Sequence, residues 1–433
     1  MDSKVEQSPK DEYKFSRVMY VLEAAFEYFI SILITGAFLA KITNAIGMSD
    51  GLTGILSAFV SLGCGFQIFA LFLANKQPVK RWVTILHIIN QLCFCAIYLV
   101  PVVPVSQTVK TVVFIVMLLS GYIISNVINS PKINWFMSLV DDKKRGVFTA
   151  NKEIVSLIGG MVFSYLMGAV IDSFEAQGNL NYAFIFGAVT IFVLTMAHTA
   201  TLVFSKEKVQ VREKRSVVSE IKVLLKNKKV MKVILLAVLW SIVAYATTPF
   251  YGSYQIKELG FSMKFVSMLS IVYAVVRSLF SRILGRFADK RSFVAMLNIC
   301  YVVALVGYAV NVFTVPSNGK VMFSLYYTLH AISLAGINSG TINLIYEEVG
   351  TEQRTGAYAL QQSISGTVGF LTTTLFSILV ERIQANGNVF LGIPVYAQQV
   401  VSAVGVLVLI AIVIYVNTAM RKNKRKQNTG LSQ

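Results

Sequence analysis

The sequence predicts an all-α membrane protein: twelve transmembrane helices in two pseudo-symmetric six-helix bundles. Three observations carry this. Only 14% of the 433 residues are charged and 55% are hydrophobic, whereas soluble proteins average about 25% charged. Apolar runs of membrane-crossing length recur along the whole chain. Short motifs also repeat at a nearly constant offset on either side of a basic central loop.

The spans come first. A crossing helix needs about 20 mostly apolar residues, and twelve such runs are read at 18–40, 52–74, 82–103, 111–134, 154–172, 181–204, 232–252, 264–284, 293–314, 321–346, 357–380 and 395–418. Stretches such as 51–73 and 383–420 are almost free of charge. Strict two-residue alternation, the mark of a membrane barrel, is missing. The polar first fifteen residues lack the apolar core and cleavage site of a secretory signal, so the first span is expected to insert directly. The organisation expected is a tail at 1–17, a bundle at 18–204, a linker at 205–231, a bundle at 232–418 and a basic tail at 419–433.

Charge then assigns the sides. The net charge of +18 would suggest nucleic acid in a soluble protein. Here the basic residues sit between apolar runs, and no nucleic-acid partner is expected. Alternate loops and the two tails hold 31 of the 39 Lys and Arg, the opposite loops hold six, and Lys132 and Arg277 lie within spans. The positive-inside rule places both termini in the cytoplasm of a multi-pass cell-membrane protein. Cys64, Cys93, Cys95 and Cys300 all fall in apolar runs without zinc or redox spacing, so they are read as packing residues. Neither a P-loop nor a metal-ligand cluster is found, so no cofactor is expected.

The repeat follows. Lys144-x-Gly146-x-Phe148 aligns with Arg354-x-Gly356-x-Tyr358 at an offset of 210, and Ala74-Asn75-Lys76 with Ala288-Asp289-Lys290 at 214. The loop after the eighth span reads Gly285-Arg286-Phe287-Ala288-Asp289-Lys290-Arg291-Ser292. It resembles the G-x-x-x-D-[RK]-x-G loop of the major facilitator superfamily, with Ser292 in place of the second glycine. The first-half copy is more degraded, with Leu71 and Asn75 at the glycine and aspartate positions. The resemblance implies a secondary transporter whose bundles rock about a central site. It also implies a cytoplasmic gate formed by Gly285, Arg286, Asp289 and Lys290, which would not touch the solute.

Polar groups at membrane depth cost about 2.5–3.5 kcal/mol each on insertion scales, so those present should face a cavity. Glu23 and Glu27 share one face of the first span, with Tyr20 and Ser31 on the same stripe. Two carboxylates on a buried face repel, which favours a proton on one of them. Glu27, near the bilayer middle, is the candidate for coupling or solute contact. Arg277 on the eighth span keeps its charge and needs Glu27, a solute group or backbone carbonyls as partner; Tyr273 lies one turn away. The fourth span carries Tyr122, Asn126 and Asn129 on one stripe, with Lys132 nearby, to be read either as interhelical glue or as hydroxyl-binding groups. Tyr245 on the seventh span and Tyr326, Tyr327 and His330 on the tenth complete the set. His330 is either a proton carrier or a packing residue. His87, Asn90 and Gln91 are weaker candidates.

The leading expectation is therefore a carrier of a small polar organic solute, of the sugar, glycoside or organic anion class. Coupling to a proton or sodium gradient and a monomeric state are expected. A drug or metabolite exporter is the alternative, although the helix-five Gly-Pro signature of drug–proton antiporters is missing from Ser156-Leu157-Ile158-Gly159-Gly160. A non-transporting receptor on the same fold is a further alternative.

Overall fold

The computed structural model describes residues 12–67, 78–140, 145–208, 217–350 and 353–420. The Ala74-Asn75-Lys76 loop with Leu71, Lys144 of the repeat, and most of both tails lie outside these residues. Nine helices of the described residues are long and apolar enough to cross a membrane, ten if the bent pair Lys14–Leu33 and Gly36–Ile46 counts as one. The other two expected spans coincide with Gly319–Glu347, a 29-residue helix, and with the shorter apolar helix Asp50–Gly65. The whole is consistent with the twelve expected.

In chain order the helices of the first half are α1 Lys14–Leu33, α2 Gly36–Ile46, α3 Asp50–Ser57, α4 Phe59–Gly65, α5 Lys80–Leu99, α6 Gln107–Met137, α7 Arg145–Ala176 and α8 Leu180–Phe204. A short linker helix, α9 Val217–Lys226, follows. The second half holds α10 Lys228–Thr247, α11 Met263–Lys290, α12 Phe293–Val312, α13 Gly319–Glu347, α14 Arg354–Ala385 and α15 Ala397–Tyr415. Among the described residues the only sheet is a two-stranded hairpin, Val389–Phe390 with Ile393–Pro394.

Within the first half, α1 packs on α7 and α8, and α5 on α6 and α8. Within the second, α12 packs on α13 and α15, and α10 on α14 and α15. Lipid-facing apolar side chains remain on the outside, as Leu375, Leu407 and Ile158 do. This is how a bundle solvated by hydrocarbon differs from a soluble one. The linker helix buries Leu224 while Val223 and Leu225 stay exposed; it rests on α10 and α14.

The first span bends by 42°. Thr35 is extended and Gly36 takes a φ of +56°, a left-handed conformation that glycine adopts without penalty. The seventh span is also irregular past Thr247. There a short 3-10 turn, Thr248–Phe250, contains Pro249, and a π turn follows at Tyr254–Glu258; proline removes a backbone donor from the helix ladder.

The halves meet tightly at the end opposite the one that carries Lys14 and Met420. Lys257 Nζ lies 2.6 Å from Asp50 Oδ1, and Gln384 Nε2 donates to both Asp50 and Glu258. Asp172 accepts from the backbone N–H groups of Met263 and Lys264 at the start of α11. Ser267 donates to the Ser164 carbonyl, and Ser61 to that of Gly366. Close backbone approach makes this contact possible. A Cβ on Gly252 would stand 2.4 Å from the Gly36 carbonyl oxygen, and one on Gly366 would stand 2.6 Å from that of Ser61.

Backbone atoms cannot swing aside as side chains can, so a bulky residue at position 252 must part the halves. With spin labels on Val105→Cys and Ile393→Cys, in exposed loops of the two halves, Gly252→Leu is expected to lengthen the inter-label distance. An unchanged distribution in a folded variant would show that the contact does not hold this end closed.

Candidate functional site

The first half contains a chain of ion pairs at membrane depth. Lys132, on α6 just past Pro131, places its ammonium 2.7 Å from Glu23 Oε1 and 2.6 Å from Glu27 Oε2. The i, i+4 spacing of the two glutamates on α1 aims both at that one cation. Glu23 and Lys132 are fully enclosed, with side chains 1% and 2% exposed, whereas Glu27 is 32% exposed. On the far side of Glu23, the same Oε1 meets His198 Nε2 of α8 at 2.9 Å. His198 Nδ1 in turn meets His87 Nε2 of α5 at 2.7 Å. Five ionisable side chains from four helices thus form one continuous line. Tyr20 lies alongside, stacked on Phe136, with Lys152 over its ring.

This changes two expectations. The repulsion foreseen between Glu23 and Glu27 is offset, because a shared lysine sits between them. Glu27 is paired with Lys132 rather than with Arg277, and among the described residues Arg277 has no ion pair. His87, a weaker candidate in the sequence, sits in the interior of this network. His198 was not foreseen. The available signal was its place on a stripe with Thr195, Thr201 and Ser205 in an otherwise apolar helix.

Of the remaining first-half candidates, Tyr122 forms an interhelical tie, donating to the Ile34 carbonyl next to the bend in the first span. Asn126 donates to Tyr122 of its own helix and crowds Gly63, and Asn129 is half-buried. Trp135 is buried, stacks on Phe136 and donates to the Lys206 carbonyl.

The second half presents an aromatic face. His330 on α13 is ringed by Trp240, Tyr273, Tyr308 and Tyr326, with centroids 5.6–6.3 Å away, and neither ring nitrogen has a partner. Tyr273 packs on Tyr327 at 4.7 Å. Tyr326 pairs its hydroxyl with that of Tyr251 in the packed interior. Half-buried Arg277 lies close enough to the Tyr273 hydroxyl, to His330, and to Tyr28 of the opposite half to act on each electrostatically. Tyr245 of α10 packs against Gly369. Arg277 and Tyr273 of the second half thus lie near Tyr28 of the first. Gly285, Arg286, Asp289 and Lys290 end α11 at the terminus-bearing end; the last three are exposed, and among the described residues none forms an ion pair.

Two helical halves that meet around buried charges at mid-membrane form the architecture of secondary transporters. The sequence profile of the Major Facilitator Superfamily matches residues 21–373, and the chain belongs to that superfamily. Its fold is similar to that of the nucleoside transporter NupG (TM-score 0.68, 14% identity, covering 92% of this chain and 98% of that one). A D-xylose–proton symporter gives 0.70 at 14% identity over 93% and 97% of the two chains. A bacterial homologue of the lysosomal transporter Spinster, in an inward-facing unoccupied conformation, gives 0.68 at 14% over 96% and 98%. Comparison with curated proteins at the sequence level gives no match.

Removing one partner of a buried ion pair leaves an uncompensated charge, at a cost of about 3–5 kcal/mol. Lys132→Met should therefore lower the melting temperature sharply, and adding Glu23→Gln should recover part of the loss. If Lys132→Met melts like the wild type, the network is not a structural keystone.

Proposed function

We propose that this protein is a secondary active transporter that carries a small polar organic solute, of the sugar, glycoside or organic anion class, across the cell membrane by alternating access. A cation gradient drives it, with the proton favoured over sodium because the network is built of proton-exchanging groups. The single observation that carries this reading is the charge chain of the first half. It is sealed at Glu23 and Lys132 and open only at Glu27.

In the mechanism we infer, Glu27 stands beside Tyr28 at the level where Arg277 and Tyr273 enter from the other half. A proton on Glu27 weakens its bond to Lys132, and the freed ammonium strengthens its hold on Glu23. Solute hydroxyls or an anionic group then engage Glu27, Tyr28 and Arg277 together, so occupancy is felt by both halves at once. The bundles 18–204 and 232–418 rock about this level as a monomer. The closed end described above corresponds to one limit of that motion. In the other limit Gly285, Arg286, Asp289 and Lys290 form the opposing gate. The 31-to-6 division of basic residues supports a cytoplasmic side for that gate and both termini. Two fold relatives, one a nucleoside transporter and one a D-xylose–proton symporter by name, support a polar solute.

The solute class can be found by thermal shift with sugars, nucleosides and organic acids, since a ligand at about 100 times its Kd adds about 2.7 kcal/mol of stability. In proteoliposomes with the stabilising solute, Glu27→Gln should abolish accumulation driven by a proton gradient while solute exchange survives in part. Normal accumulation by this variant would remove Glu27 from the coupling role.

A further inference from the structure

With both carboxylates ionised, Lys132 charged and each imidazole neutral, Glu23, Glu27, Lys132, His198 and His87 sum to one net negative charge. The enclosed members Glu23 and Lys132 balance each other, and the surplus sits on the partly exposed Glu27. The hydrogen-bond inventory points to the histidine pair. If His198 Nε2–H donates to Glu23 Oε1, its Nδ1 accepts from His87 Nε2–H, and His87 Nδ1 is left as a bare acceptor. That nitrogen has no partner, and neither do Glu23 Oε2 or Gln91 Oε1. Gln91 lies one turn beyond His87 on α5, on the same face, and its amide nitrogen is already committed to Asn90. All three unpartnered atoms of this cluster are lone pairs without a hydrogen.

We propose that the His87–His198 pair is a buried proton-binding site that takes up one proton. The proton adds to the Nδ1 lone pair of His87; no other bond forms or breaks. The cluster becomes neutral, and His87 gains a second N–H at the ring nitrogen that has no partner among the described residues. The charged and titratable groups around the pair are Glu23, Glu27 and Tyr20 of α1, Lys132 of α6 and Lys152 of α7. Of these, Lys132 opposes loading and the two carboxylates favour it. A positive imidazole pair competes with Lys132 for Glu23, so loading the histidines presses Lys132 toward Glu27, the member that faces outward. The store is thus set apart from the solute level and acts on it through one lysine. This deepens the proton-coupled reading above and rests on that reading for its purpose.

The chain has three histidines, so ring-labelled 15N-histidine NMR on the full protein in lipid nanodiscs resolves each one. At the acidic end of the range from about pH 5 to 8, where histidine charge ordinarily changes, one doubly protonated ring is expected. Its signal should vanish in His87→Gln and in His198→Gln, persist in His330→Gln, and be lost on Glu23→Gln, which removes the attracting charge. If the wild type shows both rings neutral across the range, the site does not exist and water fills the open lone pairs. The wild-type spectrum decides this even if a variant fails to fold. It also separates the two readings. A protonated pair together with full accumulation by Glu27→Gln would retain the site and discard the coupling role. Neutral rings together with lost accumulation would do the reverse.

Discussion

One ammonium group between two carboxylates organises the first half of this molecule. Lys132 draws α1 and α6 together at mid-membrane, and Glu23 extends the hold to α8 through His198. Each of these charges alone would be expensive in hydrocarbon. Held together, with a single edge exposed, they form a unit whose balance can be altered at one point. The second half has no matching ion pair at that depth among the described residues. It offers tyrosines, a histidine and an unpaired arginine instead. The two halves differ in the side chains they bring to this level. One manages charge and the other presents a surface.

Much of the fold was legible because hydrophobic run length and loop charge are local properties. The spans follow from the first and the expected sidedness from the second, while the pairing of the halves rests on the repeated loop motifs. Less was legible where the backbone departs from an ideal helix. The break at Thr35–Gly36 depends on Gly252 in the other half, and no local pattern announces a partner 216 residues away. The second span was read as one run at 52–74, whereas its described part holds two short helices, Asp50–Ser57 and Phe59–Gly65.

The candidate site was legible in part. Glu23 and Glu27 stood out because carboxylates inside spans are rare. Their partner Lys132 was placed within the fourth span, beside the polar stripe of Tyr122, Asn126 and Asn129, but nothing in the sequence tied it to the first span. Helix α6 runs on to Met137, and that extra turn places Lys132 inside the bundle. His198 stayed hidden because the small polar residues that share its stripe, Thr195 and Thr201, are common in membrane helices and do not by themselves mark a site. Only the juxtaposition of α1, α5 and α8 gives it meaning. The aromatic residues of the second half were found individually, since tyrosines recur at helical spacing. Their closure around His330 is a property of packing.

The far-end contact is built from two unlike materials. Deeper in the bundle, Ser61 and Ser267 seal it by uncharged hydroxyl bonds to the carbonyls of Gly366 and Ser164, which dissolved ions do not reach. At the rim, Asp50, Lys257 and Gln384 seal it by charge, with Lys257 29% exposed. Electrolyte weakens attraction of the second kind and leaves the first untouched. The carrier's choice of resting posture is therefore tied to the saltiness of the medium that bathes that rim.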